Sequence, residues 1–190
     1  MKICRISFAL ALPLLATSAA FAQHEKFTAD PAKSTVSFTL GAYDGEKHGT
    51  FHAQGGFVDF DPKAHTIAGS IVVNAASGDS GSRSRDKNMT KDVLDAPHFA
   101  DVTFFPKTYT GDLNATGDSK IQVTGIFTLH GTPHEITVPV EVSIEGTSCT
   151  VKTKFPVPYV VWGLKNPSNM ILKVAKEVGI DLTLMGQLSN

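Results

Sequence analysis

Residues 135–144 read EITVPVEVSI, and this stretch decides the fold class. Apolar and polar side chains alternate along it without a break, so one set faces an apolar interior and the other faces water. Residues 121–129, IQVTGIFTL, follow the same period with an interruption at Gly125, and residues 130–134, HGTPH, separate the two stretches. This arrangement predicts two neighbouring β-strands joined by a turn.

The same period of two recurs through the chain, with Gly, Asn, Asp and Pro clusters between the segments. The segments are centred near Thr35, Phe57, Ile71, Phe104, Val123, Val138, Val151 and Leu182. About eight strands can close into a barrel that leaves no exposed edge. The sequence therefore predicts an all-β fold, a single antiparallel barrel of about eight strands.

Two segments break the strand pattern. Residues 84–94 carry charged side chains around Met89, Val93 and Leu94 at helical spacing. This spacing predicts one short helical segment, which we expect to cap one end of the barrel. Residues 156–173 contain several prolines and a glycine, too many breakers for a plain strand. We therefore expect a long, ordered late loop with a short helical turn.

The first 22 residues have the layout of a secretory signal peptide. Lys2 and Arg5 form a charged start, an apolar stretch follows, and Ala20 and Ala22 fit the small-residue cleavage pattern. We expect cleavage after Ala22, a periplasmic or secreted location, and one mature domain over residues 23–190. Cys149 would then be the single remaining cysteine, so we expect a buried thiol and no intramolecular disulfide.

Composition excludes several functional classes. The chain has 17 Lys and Arg against 18 Asp and Glu, so it lacks the basic excess that nucleic-acid binding requires. No segment after the signal peptide is apolar enough to span a bilayer, so we expect no stable membrane insertion of the mature chain. The 12 Phe residues supply apolar mass for a real core.

An eight-stranded barrel is either filled by its own side chains or wide enough to enclose one small ligand. Large aromatic residues occupy the alternating faces, whereas Gly55, Gly56, Gly69 and Gly125 lie inside strand-like segments. Such glycines leave room for an elongated cavity, or they mark bends and bulges around a filled core. These features alone leave both interpretations open.

Several strings, in this order, resemble the YceI-like family: VSFTLG at 36–41, HGTF at 48–51, SRD at 84–86 with Met89, Val93 and Leu94 after it, and VTGIFTLHG at 123–131. A further string, WGLKNPS at 162–168, is similar to the late loop of one branch of that family. The resemblance implies an exported, lipocalin-like antiparallel barrel that holds a polyisoprenoid or similar amphiphile and performs no chemistry. The chain departs from the family pattern at Ala42, where many members have His, and at Ala100, where Pro is usual.

Under this interpretation the barrel interior contacts the ligand. The expected lipid contacts are Phe38, Leu40, Phe51, Phe57, Phe104, Phe127, Leu129, Trp162, Leu164 and Ile171. His48 and Arg85 are the candidates for contact with a polar head group, because a guanidinium near the mouth can form charge-assisted hydrogen bonds to a diphosphate. The alternative for Arg85 is a solvated surface residue. We expect no catalytic residue, metal or cofactor, and a homodimer is left open.

Different functions are also compatible with the sequence. Within the binding class, the ligand is instead a fatty acid, a fatty amide or a quinone; outside it, the chain is a filled-barrel stress protein. Residues 78–81, GDSG, match the tetrapeptide around the nucleophile of trypsin-like serine hydrolases, with His48 or His52 and Asp59 or Asp61 as candidate partners. Such enzymes need two barrels for their cleft, and a Ser, Gly and Asp run between a strand and a helix is ordinarily a turn.

Overall fold

The computed structural model describes residues 25–168 and 173–189. The predicted signal peptide with its cleavage point, and Ile171, lie outside the described residues. The strands are β1 (Glu25–Ala29), β2 (Thr35–Leu40), β3 (Lys47–Phe51), β4 (Ala53–Asp61), β5 (Thr66–Asn74), β6 (Asp101–Thr110), β7 (Gly117–Leu129), β8 (Thr132–Glu145), β9 (Ser148–Val157) and β10 (Val178–Ser189). A 3-10 turn (Ala75–Ser77) follows β5, and the helix α1 (Arg83–Asn88) continues into a π-helical turn (Met89–Val93).

The strands form a closed antiparallel barrel of eight rows. β10 pairs with β9 along one edge, and with β2 and β1 in succession along the other. β3 and β4 together form the next row, because β3 pairs with β2 and β4 pairs with β1. The predicted all-β barrel of about eight strands is confirmed. The short strands β1 and β3 escaped the sequence pattern because each spans only five residues.

The β7–β8 hairpin has a tighter turn than the sequence predicted. His130 and Gly131 have φ values of 52° and 72°, as a two-residue type I′ turn requires. Residues 132–134 therefore belong to β8 and not to the turn. The register places Val123 opposite Val138, and both of these side chains are buried inside the barrel.

The helical segment lies across one end of the barrel, which confirms the helix predicted at residues 84–94. The late loop begins at Pro158, two residues later than predicted, because β9 continues through Val157. Its helical turn is present, since the Trp162 amide donates to the Pro158 carbonyl at 3.1 Å. Among the described residues, no helix has both the length and the apolar character that crossing a membrane requires.

The buried side chains form two clusters, one toward each end of the barrel. The cluster that contains Leu129 and Leu164 packs against Leu94 of the helical segment, and we call this end the mouth. The other cluster contains Phe27 and Cys149, and we call its end the far end. Cys149 is buried, as predicted, and within the described residues it is a free thiol.

Candidate functional site

The barrel encloses an apolar cavity of about 660 Å³ that opens at the mouth. Its wall is apolar because inward-facing positions along each strand alternate with outward-facing polar ones. Along β7 and β8 the wall consists of Ile121, Val123, Phe127, Leu129, Ile136, Val138, Val140 and Val142. Thr153 of β9 is a polar exception, because its side chain is buried and its hydroxyl has no hydrogen-bond partner within the described residues. The volume and polarity suit a long apolar chain.

Charged side chains border the cavity at the mouth. Arg85 of α1 lines the opening, together with Asp44 and Lys47 of the β2–β3 hairpin. The Lys47 ammonium donates to the Asp44 carboxylate at 2.9 Å. This hydrogen bond, with a smaller contribution from Arg85, lowers the pKa of Asp44. Two cations and one carboxylate therefore line the opening of the cavity.

Ser80 and Asp86 hold Arg85 in place at the mouth. The Arg85 guanidinium donates from Nε to the Ser80 hydroxyl (2.8 Å) and from Nη2 to the Ser80 carbonyl (2.6 Å). The Asp86 carboxylate accepts from the Ser80 amide (2.9 Å) and from the Ser80 hydroxyl. A guanidinium has five N–H donors, so Arg85 keeps donors for a ligand.

The GDSG string at residues 78–81 has a structural role in this network. The Ser80 hydroxyl contacts Arg85 and Asp86, and no histidine among the described residues hydrogen-bonds to it. Asp79 fixes the string to β3 through two backbone hydrogen bonds with Thr50, at 2.8 and 2.9 Å. The geometry therefore lacks the serine–histidine contact of a hydrolase. The described residues also contain no group of three or more His, Cys, Asp or Glu side chains placed to hold a metal.

Most of the predicted lipid contacts line the cavity. These residues are Phe38, Leu40, Phe51, Phe104, Phe127, Leu129 and Leu164. Ile171 lies outside the described residues. Of the two predicted head-group residues, Arg85 lies at the mouth and His48 does not. The structure thus brings one cation and seven apolar side chains together around one cavity.

Phe57 does not line the cavity, contrary to the prediction. Its side chain is 40% exposed on the outer surface, where the Lys26 ammonium lies 4.2 Å from the ring centroid. The cause is a register shift in β4 between Ala53 and Gly55, because one additional residue moves the following side chains to the opposite face. Val58 faces the cavity instead.

His48 also lies away from the cavity, on the outer face of β3. Its side chain is 65% exposed, with Nδ1 3.0 Å from the Thr39 hydroxyl and Nε2 3.6 Å from the Glu46 carboxylate. Inward and outward positions alternate along β3, so Lys47 and not His48 reaches the mouth. Lys47 was not predicted because the sequence pattern did not reveal the short strand β3, and therefore did not distinguish its inward positions from its outward ones.

Trp162 packs behind the cavity wall and not on it. Its indole stacks on the His134 ring, with centroids 4.0 Å apart and planes at 7°, and lies 5.8 Å from the ring of Phe127. Phe127 itself lines the cavity. The indole therefore supports the wall at the mouth, and the prediction that Trp162 contacts the ligand directly has no support in its position.

The buried thiol of Cys149 at the far end has an altered pKa. The residue is 3% exposed, and burial, with a smaller contribution from the Glu25 carboxylate, raises its pKa from 9.0 to about 11. Between pH 9 and about pH 11 the Cys149 thiol keeps its proton in the folded chain and loses it in the unfolded chain. The resulting stabilisation is complete below pH 9 and is lost as the pH rises through about 11.

We expect Cys149→Ala to make the free energy of unfolding less sensitive to alkaline pH. Urea unfolding of both proteins between about pH 8 and pH 11 measures the effect, and wild type should lose more stability over this interval because it alone carries the thiol. The comparison cancels the titration of lysines and tyrosines common to both chains. Parallel pH dependences of the two proteins would contradict the raised pKa.

Comparison with known proteins places this barrel in a family. A family model described as YceI-like domain matches residues 27–185. The UPF0312 protein of Vibrio parahaemolyticus is 34% identical over 142 residues, which are 72% of this chain and 69% of that protein. Burkholderia cenocepacia BcnA has a TM-score of 0.67 at 27% identity and covers 85% of this chain and 99% of its own. A polyisoprenoid binding domain from Saccharophagus degradans, with a TM-score of 0.66 at 16% identity over 86% and 98% of the two chains, shares the fold. The chain belongs to the YceI-like family.

Proposed function

We propose that this protein binds a long-chain amphiphile, a polyisoprenoid or similar lipid, without catalysing a reaction. The observation that carries the proposal is the apolar cavity of about 660 Å³ with Arg85 and Lys47 at its opening. The tail lies along the cavity, and the head group lies at the mouth. The Saccharophagus degradans domain, a polyisoprenoid binding domain with this fold, supports the same class of ligand.

Transfer energetics favour a long apolar tail. Burial of apolar groups contributes about 0.8 kcal/mol per methylene, so an isoprene unit of about five carbons contributes roughly 3 to 4 kcal/mol. A few units offset the several kcal/mol that association costs in lost freedom. Tail length and shape then contribute more to affinity than polar contacts do, so fatty acids, fatty amides and quinones compete for the same cavity.

A filled-barrel stress protein and a serine hydrolase fit the structure less well. A filled barrel would have no cavity of about 660 Å³. A serine hydrolase needs a base beside its nucleophile, whereas the Ser80 hydroxyl donates to Asp86 and accepts from Arg85. We further propose that the chain is exported to the periplasm or secreted, in keeping with the signal peptide predicted for residues 1–22.

The proposed function is tested by native mass spectrometry of the protein purified from a bacterial periplasm. We expect a bound mass that organic extraction releases, and we expect the emptied protein to take up a fluorescent polyprenyl analogue. Competition with a fatty acid, a fatty amide and a quinone then ranks the ligand classes. A protein that carries no lipid and takes up none of these compounds would refute the proposal.

Arg85→Ala is expected to weaken binding of a polyprenyl diphosphate by roughly ten- to a hundredfold, and binding of the matching polyprenol much less. A hydrogen bond to a charged group is worth about 1.5 to 3 kcal/mol, and the alcohol lacks the charge. Fluorescence titration of both ligands measures the difference. Lys87→Ala is the matched control, because Lys87 is an exposed cation on the same helix.

Ser80→Ala, measured in the same titration, tests whether Ser80 acts on the head group only by positioning Arg85. Loss of the Ser80 hydroxyl frees Arg85 Nε and leaves the contact with the Ser80 carbonyl. We therefore expect a diphosphate-specific loss smaller than that of Arg85→Ala. Equal losses of alcohol and diphosphate in the Arg85 variant would remove this residue from the head-group site.

A further inference from the structure

Two large apolar side chains are unusually exposed, and both lie on the loops around the mouth. Tyr43 is 84% exposed and Val161 is 78% exposed. Tyr43 follows Ala42, which lines the cavity, and Val161 lies between Tyr159 and Leu164, which also line it. Other exposed large apolar side chains of the described residues, on the barrel wall, reach only 40 to 45%.

A short segment at residues 173–176 joins the two loops. On one side, the Tyr43 amide donates to the Lys173 carbonyl at 2.9 Å. On the other side, the Val160 amide donates to the Lys176 carbonyl at 3.3 Å. Tyr43 and Val161 are therefore held by one connected backbone structure. We call it the rim, and it consists of the loop at Tyr43, residues 173–176 and the loop at residues 160–165.

The rim also carries positive charge. Lys165, Lys173 and Lys176 are exposed, and none of them forms an ion pair with a carboxylate among the described residues. Of the nearby carboxylates, Asp44 binds Lys47 and Glu46 lies 3.6 Å from His48. Glu177 offsets part of this charge, yet the rim is basic in a chain whose net charge is −1.

We propose that the rim docks the barrel, mouth first, on an anionic phospholipid bilayer. Tyr and aliphatic side chains are stable at the boundary of head groups and acyl chains. Each lysine near an anionic surface adds about fivefold to the partition coefficient. The benefit to the protein rests on the proposed function: a lipid that passes directly between bilayer and cavity never exposes its tail to water.

The test is co-sedimentation of the full mature chain with vesicles. We use equal parts of phosphatidylglycerol and phosphatidylcholine, with pure phosphatidylcholine for comparison. We expect binding to the anionic vesicles that falls with salt and drops at least tenfold in the Tyr43→Ser, Val161→Ser double variant. The control is Phe105→Ser, Met185→Ser, which removes two exposed apolar side chains from the outer wall of the barrel.

Three outcomes overturn the docking proposal: no sedimentation with either vesicle, equal binding to both vesicles, or equal losses in rim and wall variants. Uptake of the polyprenyl analogue in vesicle-free solution is measured on the same proteins. The rim variant should keep that uptake, because Tyr43 and Val161 do not line the cavity. Vesicle binding without uptake supports docking and refutes the proposed function, so the two failures are distinguishable.

Discussion

Val123→Trp is expected to abolish binding of a long-chain ligand while the barrel stays folded. Val123 is 4% exposed and lies on the cavity wall in the middle of β7. An indole at this position occupies the path of the tail, and exclusion of even one or two isoprene units reduces affinity on the order of a hundredfold or more. Fluorescence titration with the polyprenyl analogue measures the loss, and urea unfolding measures stability.

Gln122→Trp is the matched control, because the neighbouring side chain on β7 faces solvent and makes no contact with the cavity. We expect this variant to bind the analogue like wild type. A packed core responds differently to Val123→Trp: additional side-chain volume destabilises it by about 1 to 3 kcal/mol or more. Strong destabilisation of that variant, with no ligand uptake by wild type, would falsify the open-cavity interpretation.

The part of the fold that the sequence predicted well has strict alternation and short connections. In β8, residues 135–144 alternate without a break, and the structure buries one set and exposes the other. Alternation is a local property, so a single chain reveals it without any knowledge of its neighbours. Among the predicted lipid contacts, Phe127 and Leu129 of β7 follow from such alternation, and both line the cavity.

The errors arose where a distant contact changes the local pattern. The bulge between Ala53 and Gly55 turns Phe57 outward, and it depends on how β4 meets its partner β5. The Ser80–Arg85–Asp86 network likewise joins a loop to a helix. No spacing rule predicts such a network, because its members are brought together by the path of the chain.

The glycines in the strands also show that contacts between distant residues cannot be predicted from the local sequence. Room for a ligand was one of two interpretations of these glycines, yet the space beside Gly125 is filled by the ring of Phe104, which a Cβ would approach within 2.7 Å. Gly56 and Gly69 lie in the adjacent strands β4 and β5, near each other in the register. There the missing side chains allow two backbones to approach, which is the bend-and-bulge interpretation.

Gly69→Ala is expected to lower the free energy of unfolding by about 3 to 5 kcal/mol, the sum of backbone strain and steric overpacking, which is a large share of the roughly 5 to 15 kcal/mol typical of a domain. Gly69 has a φ of 142°, a conformation that is essentially restricted to glycine. A Cβ there would lie 2.8 Å from the Val58 Cα and closer still to the Phe57 carbonyl oxygen. These atoms belong to the backbone of β4, so no side chain can move aside to relieve the collision.

Gly45→Ala separates the two causes of this loss. Gly45 also has a positive φ, 104°, but a Cβ there meets nothing within 4 Å, so only the backbone conformation is penalised, at about 1 kcal/mol. Urea unfolding of both variants measures the difference, and we expect Gly69→Ala to be less stable by about 2 kcal/mol or more because β4 and β5 must separate. Equal losses would mean that the close approach of these two strands contributes nothing to closure of the barrel, and that torsion alone requires glycine at position 69.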